Sequence, residues 1–396
     1  MSILINIGLL IYFKYANFFI ENVQTILKSF NIESFSWVNV ALPIGISFFT
    51  FQSLTYTIDV YRKVHAPLQK LSDYLLYILM FPQLIAGPIV RFNTIADDIL
   101  DRKKNETSEK RLYGIYRFTI GLAKKILIAN VLGEQVDAIY ALPNIEINTM
   151  LSWVAIIAYS FQIYFDFSGY SDMAIGLGKL MGFNFPENFN NPYASQSITE
   201  FWRRWHITLG EWMKDYLYIP LGGNRVNSKN RLYLNLLIVF FLSGLWHGAS
   251  WNFVIWGLWH GIFLIFDRLF LVKTLSKIGK YPRVIFNYIV VLVGWVFFRI
   301  EEFSQSLFYI RTMFICKKTD NEFPTSSQFW VTLIFAALVS FITLSKIGLK
   351  TEQIVYYKKL NKYQHIIFFL ISILMLALSV SYLSGSGFNP FIYFRF

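Results

Sequence analysis

Apolar positions along the chain gather into nine stretches, at roughly 3–22, 36–58, 71–90, 147–182, 232–250, 251–271, 284–300, 329–347 and 365–384. A helix of ~20 apolar residues spans a bilayer. The pattern therefore predicts an all-α, polytopic membrane helical bundle. The 147–182 stretch is long enough for a span plus a reorienting segment. The widest polar stretches, 91–125 and 186–231, read as loops. No soluble domain interrupts the series, so residues 1–396 form one membrane domain with a short aromatic tail over 385–396.

Charge gives the series an orientation. Arg62, Lys63 and Lys70 precede the 71–90 stretch, and Arg91, Arg102, Lys103, Lys104, Lys110 and Arg111 follow it. Basic loops stay cytoplasmic, so both flanks of 71–90 are expected on one side. Pro82, Gly87 and Pro88 break that stretch, which predicts a re-entrant hairpin. Irregular backbone at membrane depth survives only where protein buries it or it lines a cavity. Similarly, Arg225, Lys229 and Arg231 lie before 232–271, and Arg268, Lys273, Lys277 and Lys280 after it. The middle of that pair, "LSGLWHGASWNF", is then remote from the cytoplasm. Lys350, Lys358, Lys359 and Lys362 precede the last stretch, which places the tail on the outer side. The N-terminal stretch lacks a basic leader and a small-residue cleavage site, and reads as a retained membrane segment.

Composition changes this picture little. The chain is 55% hydrophobic, 19% aromatic and 15% charged, with a net charge of +12. In a membrane protein that excess belongs to cytoplasmic loops, and nucleic acid is not expected as a partner. The lone Cys316 excludes an intramolecular disulfide, and five histidines without HExxH or CxxC spacing give no metal site.

Polar residues inside apolar stretches are costly and point to function. His247, in "GLWHGASWN", is the sharpest case. Two readings fit it equally: a general base in an apolar site, or an imidazole satisfied by a backbone carbonyl. The "GLWHG" at 244–248 recurs at 257–261, bringing His260 thirteen residues on, on another helix face, where a structural role is expected. His206 lies in "ITEFWRRWHITLGEWMKDYLYIPLGGNR", an amphipathic run that reads either as an interfacial helix or as a mouth where cations hold an anionic substrate. Trp246, Asn252, Asp166, Arg203 and Arg204 are candidates to line or support a substrate tunnel.

Five blocks together, "ALPIGISFFTFQSLTYTIDVYR", "FPQLIAGPIVRF", "YFDFSGYSDMAIGLGKLMGFNFPENFNNPY", the His206 block and "LSGLWHGASWNFVIWGLWHG", resemble the membrane-bound O-acyltransferase superfamily, and most closely its bacterial alginate and peptidoglycan O-acetyltransferase branch. The resemblance covers most of the chain. It implies a funnel-shaped helical enzyme in the bacterial inner membrane, with the family's near-invariant histidine at His247 and a second polar position at His206. It implies acetyl-CoA as a cytoplasmic donor substrate with no bound cofactor. It also implies a membrane lipid setting, an extracytoplasmic esterase-like acetyltransferase as partner and an envelope polysaccharide as final acceptor. Family members usually begin with further hydrophobic segments before the block matching "LLIYFKYANFF", so the resemblance also implies a shortened N-terminus.

Envelope acylation systems of this kind carry an F-x-Y-x-x-F sequence at a C-terminus, and Phe391, Tyr393 and Phe396 match it. The resemblance makes Tyr393 an acyl carrier, with Phe391 and Phe396 as anchors. The chemistry descends in steps: a thiol leaving group of pKa about 8.5, a phenol of about 10, then weaker sugar hydroxyls. The alternative is a non-enzymatic polysaccharide export component, whose polar interior would not use His247.

Overall fold

A computed structural model describes residues 1–33, 35–319, 325–385, 387 and 389–392. Tyr393 and Phe396 lie outside the described residues. The described chain is helical throughout, with no strand. Among the described residues, five helices are long and apolar enough to cross a membrane: Ser2–Ser29, Thr149–Leu180, Trp251–Ile278, Lys280–Arg299 and Lys362–Gly385. They differ in what surrounds them. Only 6% of the apolar window of Ser2–Ser29 and 11% of that of Lys362–Gly385 is buried, so these two face outward. The Thr149–Leu180 window is 78% buried and forms the centre.

The central helix is one continuous rod of 32 residues, over a stretch whose length allows a span plus a reorienting segment. The stretch 91–125, expected as a loop, is also mostly helical. Phe92–Leu100 is followed by Ser108–Ala123, which runs through a π-helical turn, Lys124–Asn130, into Val131–Tyr140. This second rod packs antiparallel along the central helix. Their crossing is set by glycine: a Cβ on Gly121 would lie 2.5 Å from the Gly169 carbonyl oxygen, and one on Gly114 would lie 2.8 Å from that of Gly176. Small residues let membrane helices approach at backbone distance. The sequence pattern missed the rod because it carries Arg117, Lys124 and Lys125. All three are neutralised across the crossing. Arg117 and Lys124 meet Asp172 at 2.8 and 2.7 Å, Arg117 also meets Glu187, and Lys125 meets Asp166 at 2.5 Å.

The 71–90 stretch is broken as its prolines and glycine predict. Leu71–Leu79 ends at an extended Met80, Phe81–Leu84 makes one turn, and Gly87 takes a left-handed φ of 93°. Its backbone is satisfied from the protein: Tyr77 donates to the Val90 carbonyl at 3.0 Å, and the Ile89 N–H donates to Thr208 Oγ1 at 2.9 Å. The predicted 36–58 stretch is helical only from Ile46, as Ile46–Tyr61, and 329–347 holds a 14-residue helix, Ser327–Ser340.

Candidate active site

His247 is the last residue of the helix Lys229–His247, which turns back at once into Trp251–Phe266. The duplicated "GLWHG" explains the hairpin. Gly244 and Gly257 face each other, and a Cβ on either would run into the opposite backbone, at Phe253 O and Phe240 O respectively. The repeat is a packing device that brings the two helices into contact just below His247.

A helix end leaves its final carbonyls without partners. Here the first helix supplies them: the Tyr15 hydroxyl donates to Leu245 O at 2.8 Å, and the Lys14 ammonium donates to Trp246 O and, at 3.4 Å, to His247 O. Lys14 also reaches Ser47 Oγ at 3.2 Å. The backbone that carries His247 is thus fixed from outside its own helix. The buried imidazole stands edge-on between three rings, with centroids 4.9 Å from Trp246, 4.9 Å from Trp256 and 5.2 Å from Phe298.

His206 reaches the same place from the other side. Its block is not one amphipathic helix: Ile198–Arg204 stops, His206 adopts a left-handed φ of 45°, and Ile207–Met213 begins. Positive φ is uncommon outside glycine and collects at functional positions. The break turns the ring inward, 4.7 Å from Phe167 and 6.1 Å from Trp246. Trp246 therefore touches both histidines, which lie close enough to interact electrostatically.

The network around His206 fixes its tautomer. The Ile89 N–H donates to Thr208 Oγ1, so the Thr208 hydroxyl proton goes to Asn188 Oδ1 at 2.9 Å. Asn188 Oδ1 is therefore the acceptor, and its amide nitrogen turns to Ser171 Oγ at 3.0 Å. His206 Nδ1, 3.1 Å from the same oxygen, is the donor, which leaves Nε2 with the lone pair.

The other candidates separate. Trp246 is in the site. Asn252 is not: its amide donates to Ile300 O at 2.5 Å and Ser306 Oγ at 2.9 Å, tying the hairpin to its neighbours. Arg203 is exposed, and Arg204 pairs with Glu200 at 2.6 Å, so the structure brings neither to the histidines. Arg204 also opposes, in part, the upward pull that burial exerts on the Glu352 carboxyl. Both arginines end a short helix whose Trp205 and Phe201 fill the core, which turns the cations outward. His260 is buried among Phe201, Trp202 and Trp256 against Gly294. Among the described residues, no group of three His, Cys, Asp or Glu side chains is placed to hold a metal ion.

Asp166 holds the tail. Its Oδ1 meets Lys125, and its Oδ2 accepts the N–H of Ile392 at 2.9 Å. Lys125 donates to Pro390 O at 3.0 Å and lies 4.7 Å over the Phe391 ring, which packs edge-on to Tyr170. Ile392 is buried in the cluster that contains Trp256 and Phe298. The expectation of an outer tail is refined accordingly: residues 389–392 fold back into the bundle.

Residue types alone did not single out Lys14, Lys125, Asn188 and Thr208. Lys14 and Lys125 carried a signal, because each interrupts an apolar run. Asn188 and Thr208 sit in polar segments and carried none.

A helical membrane protein with two buried histidines on one tryptophan, and residues 389–392 bonded into the bundle, has the build of a membrane acyl-transfer enzyme. Residues 5–301 match the model of MBOAT, the membrane-bound O-acyltransferase family, and the chain belongs to that family. It is 41% identical over 350 residues to the probable alginate O-acetylase AlgI of Azotobacter vinelandii, covering 88% of this chain and 69% of the relative. It is 38% identical to the protein of that name from Pseudomonas putida, covering 99% of this chain and 83% of the relative. It is 37% identical to the peptidoglycan O-acetyltransferase of Helicobacter pylori, covering 79% and 64% respectively. The chain is thus an O-acyltransferase and a multi-pass membrane protein, which excludes the reading as a non-enzymatic export component.

Proposed function

We propose that this enzyme takes an acetyl group from acetyl-CoA on the cytoplasmic side of the inner membrane and passes it to hydroxyls of an envelope polysaccharide. The passage goes through an ester on Tyr393. His247 removes the phenol proton as the tyrosine oxygen attacks the thioester carbonyl. The carbon–oxygen bond forms, the carbon–sulfur bond breaks, and the thiolate leaves and is protonated. His206, with Nε2 as its basic nitrogen, orients or relays a proton from its own position against Trp246. An extracytoplasmic esterase-like transferase then moves the acetyl group to the polymer. The relatives' names support an envelope polymer as acceptor.

One observation carries the relay. The residue before Tyr393, Ile392, is only 4% exposed, and its N–H bonds Asp166, the neighbour of Phe167, whose ring packs edge-on against His206 at 4.7 Å. A tail serving only as a membrane-interface belt would have no reason to be bonded into the bundle beside Asp166. The test is Tyr393→Phe in cells that make the acceptor polymer. Loss of acetylation at normal protein level is expected, and unchanged acetylation overturns the relay.

A further inference from the structure

The two buried carboxylates of the central helix are served differently. Asp172 takes two cations, Arg117 and Lys124. Asp166, six residues earlier, meets Lys125 and accepts the main-chain N–H of Ile392. Lys125 in turn gives one of its protons to the main-chain carbonyl of Pro390. A buried ion pair needs further hydrogen bonds to offset its desolvation, and here the C-terminal segment supplies one to each partner. The two helices do not need the tail to stay together, because their glycine crossings and the Asp172 cluster already join them.

We infer that Lys125 and Asp166 form a docking site for the main chain of residues 390–392, and act as positioning residues that set the register of the tail. The inference rests on the acyl-tyrosine reading for its purpose but not for its geometry. The site reads a carbonyl and an N–H two residues apart, which are backbone groups. Side-chain preference enters at the buried Ile392 and at Phe391, whose ring lies between the Lys125 ammonium and Tyr170. The π-helical turn Lys124–Asn130 makes this possible, because it presents both lysines to the central helix. Such turns recur at functional sites. Fixing residues 390–392 limits where the next residue can go, so the clamp would raise the fraction of tails that are ready to react without touching the reacting atoms.

The test measures docking apart from chemistry. In the full chain in lipid nanodiscs, with the exposed Cys316 replaced as Cys316→Ser, Ile392→Cys is alkylated with a maleimide. Its rate reports how often the buried position opens. The double substitution Lys125→Met/Asp166→Leu removes both charges and leaves no lone buried ion. It is expected to speed alkylation at least tenfold, about the value of one charge-assisted hydrogen bond, while Lys125→Arg keeps the rate within about threefold. Phe391→Ala changes only the tail, cannot unfold the bundle, and is also expected to speed alkylation. In turnover, the double substitution should lower kcat and leave the KM for the donor unchanged. An unchanged alkylation rate in the folded double variant overturns the clamp. If that variant does not fold, an unchanged rate in Phe391→Ala overturns it. Tyr393→Phe separates the two proposals: slow alkylation with normal acetyl transfer ends the relay and leaves the clamp standing.

Discussion

His206 Nδ1 lies 3.1 Å from the side-chain oxygen of Asn188, and that oxygen also takes the Thr208 hydroxyl. Asn188 thus sets which nitrogen of His206 is basic. Asn188→Leu is expected to lower kcat by about a hundredfold to a thousandfold, within the range general acid–base catalysis contributes. Asn188→Asp still accepts from Nδ1 and should retain more activity than the leucine variant. Steady-state kinetics on purified protein give the comparison, and equal losses would mean that the tautomer does not matter.

His247→Ala should cost about 10²- to 10⁴-fold in turnover. Its ring sits among Trp246, Trp256 and Phe298, so a cavity is also expected. His247→Gln fills more of that space without a base. Equal inactivity in both variants, with near-normal melting of the glutamine variant, identifies chemistry as the cause.

Lys14→Met keeps the length of the side chain and removes the donor to Trp246 O and His247 O. Leaving buried carbonyls unmet costs about 1–3 kcal/mol. Tyr15→Phe removes one neutral bond to Leu245 O and should cost about 1 kcal/mol. Thermal unfolding in detergent gives the ranking, with Lys14→Met the more damaging for stability and turnover alike.

Gly121→Leu would press a side chain into the Gly169 carbonyl and the Met173 amide. Overpacking of this kind costs about 1–3 kcal/mol or more. Gly8→Leu, with nothing within 4 Å of the added Cβ, is the control and should melt as the parent does.

Arg117→Met leaves Asp172 and Glu187 without their shared guanidinium, and breaking a buried pair costs about 3–5 kcal/mol. Arg203→Ala removes an exposed charge and should leave both expression and turnover unchanged. A strong loss of activity in Arg203→Ala would return that residue to the substrate path.

Much of the fold was legible because hydrophobic burial is written locally. The stretches 3–22, 251–271, 284–300 and 365–384 all appear as spanning helices, and the breakers in 71–90 do break it. The rod from Ser108 to Tyr140 was not legible. Its lysines and arginine look like a loop until their carboxylate partners on another helix are known. Both candidate histidines were marked by their residue neighbours and meet on Trp246, while the arginines marked with them turn away from it. A run of seven residues ending at Arg204 does not reveal that the helix breaks at a left-handed His206.

By itself, the sequence determined that this is a helical membrane protein and which family it belongs to, and it made His247 and His206 candidates for its chemistry. Those properties depend on side-chain type and on spacing within one segment. Only the tertiary structure decided what holds them. Lys14 reaches a carbonyl 232 positions away, and Ile392 reaches a carboxylate 226 positions away. Hydrogen bonds act over about 3 Å, so such partners are set by where folded helices cross, and no local pattern records that.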